Sequence, residues 1–92
     1  MIISIKHKSL RALYEKGTTR GVRADHVKRL RNILADLDVA IDAEDMNKPS
    51  YKLHELKGSR KGVWSVTVNG NWRVTWRFVG GNVELVDYED YH

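Results

Sequence analysis

Three groups of side chains in this 92-residue chain could together handle a phosphate. Arg73 lies in the alternating run Trp72-Arg73-Val74-Thr75-Trp76, where a strand backbone would hold its planar fork ready for bidentate contact with a phosphate. Lys52, His54, Lys57, Arg60 and Lys61 cluster around Gly58 and Gly62 in a basic segment that reads as a loop. Cations so placed stabilise charge building on a phosphorus under attack, and a histidine can move a proton at neutral pH. In the run Asp87-Tyr88-Glu89-Asp90-Tyr91-His92, an Asp, a Tyr and a His could supply a base, an orienting hydroxyl and an acid. Each group also has a plainer reading. Arg73 could rest as a cation on Tyr88 across a sheet, His54 could be an ordinary exposed histidine, and residues 87–92 could be a frayed acidic segment. A metal site from His54, Asp90 and His92 has no ligand spacing to support it. Glycine-rich phosphate loops and serine-nucleophile motifs are absent.

Those groups need a sheet to position them. From Val63 the chain alternates as half-buried strands do, with hairpin signals at Asn69-Gly70-Asn71 and Gly80-Gly81. A three-residue first loop aligns Val68, Val66 and Trp64 with Trp72, Val74 and Trp76, whereas a loop of Asn69-Gly70 alone would mismatch the apolar faces. A two-residue second turn sets Val83 opposite Phe78, Leu85 opposite Trp76, Arg77 opposite Glu84 and Arg73 opposite Tyr88. One face then carries Trp64, Val66, Val68, Trp72, Val74, Trp76, Phe78, Val83 and Leu85. The other, predicted to be an open polar platform, carries Ser65, Thr67, Arg73, Thr75, Arg77, Glu84 and Tyr88.

The apolar face needs a cover. Met1–Ile5 reads as a short strand, and Lys6–Lys16 as a helix with Leu10, Leu13 and Tyr14 on one face and Gly17 as its stop. A stronger helix is predicted from about Ala24 to Ile41, with Val27, Leu30, Ile33, Leu34, Leu37 and Ile41 as its stripe. Its charges oppose the macrodipole: Lys28, Arg29 and Arg31 come early, while Asp36, Asp38 and Asp42 come late. At a few tenths of a kcal/mol per exposed charge, that is either tolerated drift or a demand for cations on that face. Residues 44–50 form a polar connector holding Pro49.

Length sets the expectation of one domain over residues 1–92. No cysteine is present, so disulfides and thiolate metal sites are excluded. No apolar run is long enough to span a membrane, and a cytoplasmic protein is expected. The formal charge of +4 is segregated. Residues 1–35 carry nine Lys or Arg against two acids and 51–77 six against one, while 36–50 and 78–92 are acidic. Such blocks suit a polyanion, or a partner protein with an acidic surface.

At YKLHELKG, WSVTVNGNWRVTW and EDYH together, the chain resembles the HigB toxins, a branch of the RelE superfamily of toxin–antitoxin systems. The resemblance begins at IKHKSLRALYEKG and is strongest over 51–76 and 86–92. It implies an α+β fold with two N-terminal helices packed on one face of a small antiparallel sheet. It also implies a ribosome-dependent mRNA endonuclease restrained by a helix-turn-helix antitoxin, meeting operator DNA only through that complex, without cofactor, metal or membrane. Carried over, the catalytic positions are His54 and Lys57 in LHELKG, Arg73 in NWR, and Asp90, Tyr91 and His92. Lys6, Lys8, Lys28, Arg29, Arg31, Arg60, Lys61 and Arg77 are the corresponding candidates for RNA and ribosome contact. Ser9 stands where many relatives have Gly, and Glu55, where some have Pro, leaves the role of His54 open. The competing reading is a non-catalytic RNA- or protein-binding module using the same basic sheet face.

Overall fold

The computed structural model describes residues 1–91. Its first helix, α1 (Lys8–Lys16), starts where His7 Nδ1 accepts the Leu10 N–H at 3.1 Å. It stops at Gly17, whose left-handed φ of 72° lets its N–H reach the Leu13 carbonyl. Leu10 and Leu13 are buried as expected, while Tyr14 stays at the surface and donates to Asp38. A 3-10 turn over Ala24–His26 leads into α2 (Val27–Val39). Leu30, Ile33, Leu34 and Leu37 of α2 are buried, but the helix is shorter than its sequence pattern. Ala40 turns extended, and Ile41, predicted to end the apolar stripe, is 66% exposed.

The reversed charges of α2 have a structural use. Arg29 donates to the Thr67 and Ser50 carbonyls and stacks over Tyr51 at 4.7 Å, while Asp36 accepts from Tyr51 and Lys48. Asp38 accepts the Ile2 N–H and the Tyr14 hydroxyl. Burial raises the Asp36 carboxyl, yet the Lys48 and Tyr51 donors hold it below the usual range overall. Bonds of this kind, each contributing about 1 kcal/mol or more, outweigh a macrodipole penalty of a few tenths.

The sheet comprises β1 (His54–Glu55), β2 (Trp64–Asn69), β3 (Trp72–Val79) and β4 (Asn82–Asp90), antiparallel and in chain order. The Met1–Ile5 segment makes two isolated parallel bridges along the outer edge of β4, Ile2 with Val83 and Ile5 with Val86. In the first hairpin, Trp64 opposes Trp76 and Val66 opposes Val74, as expected. Asn69, not Val68, faces Trp72, because Val68 is bulged and the turn is Gly70-Asn71. In the second hairpin, Val83 opposes Phe78 and Glu84 opposes Arg77, again as expected.

Beyond Glu84 the expected register fails. A bulge gives β4 one extra residue opposite Trp76, and Leu85 takes a left-handed φ of 55°. Because side chains alternate, one inserted residue exchanges the faces of everything after it. Leu85 turns outward and Val86 fills the core. Tyr88 opposes Val74 and is buried, so it cannot support Arg73, whose partner is Glu89. Tyr88 instead lies 2.6 Å from His26 Nδ1 and edge-on to His7, while Trp72 packs edge-on against His26 and tilted over the Tyr88 ring at 4.6 Å. His26, which the sequence reading passed over, is 1% exposed.

Two outcomes test this packing. Leu85→Asn should change stability by no more than about 0.5 kcal/mol, whereas Val86→Asn, one residue on, should cost about 3 kcal/mol or more in urea unfolding. Burial holds His26 below the ordinary histidine value, with Asp25 pulling it up and Arg23 pushing it down. Its contribution is therefore complete above the unfolded value of about 6.5 and is lost as pH falls below it. The melting temperature of His26→Gln should drop less than that of wild type between about pH 7.5 and pH 5.5.

Candidate active site

The helices cover one face of the sheet, and the strand period sends two polar rows to the other. His54, Ser65, Thr75 and Asp87 form one row across all four strands; Thr67, Arg73 and Glu89 form the second. This face is not open throughout, since Ser65 and Thr75 are buried. The basic segment predicted as a loop folds back, with the Leu56 N–H donating to the Val63 carbonyl and a 3-10 turn over Gly58–Arg60. Gly62 makes this return possible with a φ of 93°. Its N–H donates to the Glu55 carboxylate, and a Cβ there would lie 2.8 Å from Arg77 Nη1.

Arg60 carries the loop across to β4. Its two terminal nitrogens meet the two oxygens of Glu89 at 3.1 and 2.8 Å, and Nη1 also donates to the Tyr91 hydroxyl at 3.1 Å. The Thr75 hydroxyl donates to Glu89 at 2.5 Å. Burial pushes the Glu89 carboxyl up, but the Arg60 and Thr75 bonds hold it below the usual carboxylate range. Arg73, directly across from Glu89, donates through Nη1 to the Gly70 and Trp72 carbonyls, and its Nε is buried with no partner among the described residues. The Tyr91 N–H donates to the Asn71 carbonyl, so Tyr91 and Arg73 meet at the same hairpin turn.

Arg60, Arg73 and Tyr91 are thus brought together, while other expected site residues stand apart. His54 is exposed on the edge strand β1, three strand spacings or about 14 Å from β4. Lys57 is exposed at the start of the loop turn and shares a shallow pocket with Lys61. Asp90 pairs with Trp72 and so lies on the helix side of the sheet. There its field adds to that of Asp25, the main cause holding Arg23 above its ordinary value. His92 lies outside the described residues.

Among the expected RNA contacts, Lys8, Lys28 and Lys61 are exposed. Lys6 is exposed too, 3.9 Å from Asp87. Together with Arg60, Thr75 and Arg77, these two line a cleft of about 200 Å³. Arg31 is exposed and donates weakly to the Gly17 carbonyl. Arg29 is the exception: its guanidinium is committed to the Thr67 and Ser50 bonds that tie α2 to the sheet. Sequence reasoning missed Glu89 and Thr75 as a pair. Their meeting depends on the bulge, which nothing in the alternation signals.

Two helices on one face of a small antiparallel sheet, with a cationic, tyrosine-bearing cluster on the other, match the fold expected of a RelE-like toxin. The family described as the RelE-like toxin of the type II toxin–antitoxin system HigB matches residues 3–92, and the chain belongs to it. A curated relative, Endoribonuclease HigB of Proteus vulgaris, is 49% identical over 92 residues, covering 100% of both chains. Membership of a type II system implies a cognate antitoxin as partner. No helix among the described residues is long and apolar enough to cross a membrane.

The backbone at Gly62 gives a direct test of the loop. Gly62→Ala must strain a positive φ and displace the Arg77 guanidinium, so it should cost about 1–3 kcal/mol. Thermal unfolding of the variant beside Gly58→Ala, where a Cβ meets open space, separates the two effects.

Proposed function

We propose that this chain is an endoribonuclease that cleaves translated mRNA on the ribosome and thereby stops growth. The supporting observation is the polar face itself, where Arg60 donates to the Tyr91 hydroxyl and Arg73 stands across from Glu89, beside the lysine-bearing loop. The full-length likeness to an endoribonuclease supports the same reading. In the reaction, a ribose 2′-oxygen attacks the adjacent phosphorus, the new O–P bond forms, and the bond to the 5′-oxygen of the next nucleotide breaks as that oxygen takes up a proton. Arg73 and Lys57 stabilise the extra negative charge on the phosphorus oxygens. The 2′-hydroxyl proton passes to a base, for which the candidates are His92 and Asp90. Tyr91 positions the substrate, and His54 assists charge or proton transfer from the sheet edge.

The mechanism draws its positive charge from side chains and needs no metal. Lys28, Arg31, Lys8 and Lys61, all exposed, bind ribosomal RNA phosphates without reading sequence. A helix-turn-helix antitoxin holds the protein inactive in the cytoplasm, and operator DNA is reached only through that complex.

Expression in bacteria should arrest growth, and mapping of mRNA 5′ ends should show new ends inside translated frames. Arg73→Ala should lower the cleavage rate about a hundredfold or more and release the arrest. Cleavage should persist in chelator. Unimpaired growth with folded wild-type protein sinks the toxin reading, salt-sensitive RNA binding without cleaved product makes the chain a binding module, and loss of cleavage in chelator overturns the metal-free step.

A further inference from the structure

On a surface meant for a polyanion, an ionised carboxylate is a liability, because it repels the substrate. Glu89 is such a group, its side chain 23% exposed, directly opposite Arg73 and beside the cleft lined by Lys6, Arg60 and Arg77. Stability alone is a weak reason for it to be there: a partly exposed ion pair contributes about 0–1 kcal/mol. Its bonding suggests a different use. Glu89 accepts from Arg60 through both oxygens and from Thr75, so it joins the basic loop, β3 and β4 at one point. Arg60, oriented by that fork, donates onward to the Tyr91 hydroxyl and lies 6.0 Å from the Tyr91 ring.

We infer that Glu89 is a positioning residue of the cleavage reaction, which fixes Arg60 and through it Tyr91 against the substrate phosphate. The inference rests on the endoribonuclease reading. Glu89 is not the base, since both of its oxygens are engaged and those bonds favour its ionised form. Its effect passes through Arg60, whose planar fork fits a carboxylate in one orientation and so points the second N–H of Nη1 at the phenol. Misplacing a reacting group by as little as 1 Å can cost about a hundredfold in rate. Removing the carboxylate should therefore slow the chemical step, while the lost repulsion leaves RNA binding as tight as before or tighter.

The test is ribosome-bound mRNA cleavage by the full chain, with kcat and KM measured separately and folding checked by circular dichroism. Wild type and Arg73→Ala come first: if wild type does not cleave, the function reading fails, independently of Glu89. Given cleavage, Glu89→Gln should lower kcat roughly tenfold to a hundredfold with KM unchanged or reduced. Arg60→Ala combined with Glu89→Ala should be no slower than Arg60→Ala alone, because both act through one contact. Thr75→Val, which removes one donor and keeps the shape, carries the test if Glu89→Gln fails to fold, with a drop of about threefold expected. The inference is overturned if kcat stays within about twofold of wild type, if KM rises at constant kcat, or if the Arg60 and Glu89 effects multiply independently.

Discussion

One extra residue in β4 decides which side chains this protein shows to a substrate. Up to Glu84 the strand keeps step with β3; after the Leu85–Val86 bulge it is displaced by one. Without the bulge, Asp87 and Glu89 would face the helices, where an unpaired carboxylate costs several kcal/mol, and Tyr88 would face water. With it, Val86 and Tyr88 complete the core, and Glu89 stands across from Arg73. The left-handed backbone at Leu85 costs about 1–2 kcal/mol. It is anchored by the Ser4 hydroxyl, which accepts the Leu85 N–H at 2.8 Å, and by the Ile2 and Ile5 bridges on either side.

The same economy of polar contacts runs through the rest of the molecule. A chain of this size has a small core, built mainly from Leu10, Leu30, Ile33, Leu37, Val66, Val74, Trp76 and Val86. Irregular segments are attached to that core by directed bonds. Asp38 holds the first residues, Arg29 and Asp36 hold the turn at Tyr51, and Glu55 and Glu89 hold the basic loop at Gly62 and Arg60. Several of these ties join charged groups to backbone, which fixes position better than two flexible side chains meeting in water.

Much of this was legible in the residues. Alternation from Trp64 to Phe78 marked the strands and their buried face, and Gly17 with Leu10 and Leu13 marked α1. Turn chemistry at Gly80-Gly81 fixed the pairs Phe78–Val83 and Arg77–Glu84. Arg73, the basic loop and residues 87–92 stood out by charge alone, and the motifs around them pointed to the family. What could not be read was the bulge, because Glu84-Leu85-Val86-Asp87 suits either register when the two apolar residues are adjacent. Two misreadings of the polar face followed from that: Tyr88 was assigned to it, and Glu89 was overlooked. Ile41 was misjudged for a different reason, since helix periodicity says nothing about where a helix stops.

The edge pairing of Met1–Ile5 with β4 has a consequence for the order of events during synthesis. It joins the first residues of the domain to the strand made after all its other elements, so the Leu85 anchor cannot form until the chain has been made through β4. Contacts of such long sequence separation close slowly. A growing chain can collapse its helices onto β2 and β3, but Glu89, Tyr91 and the latched loop have no place to dock until β4 arrives. The polar cluster is thus the last part of the domain to be assembled, however early its helices form.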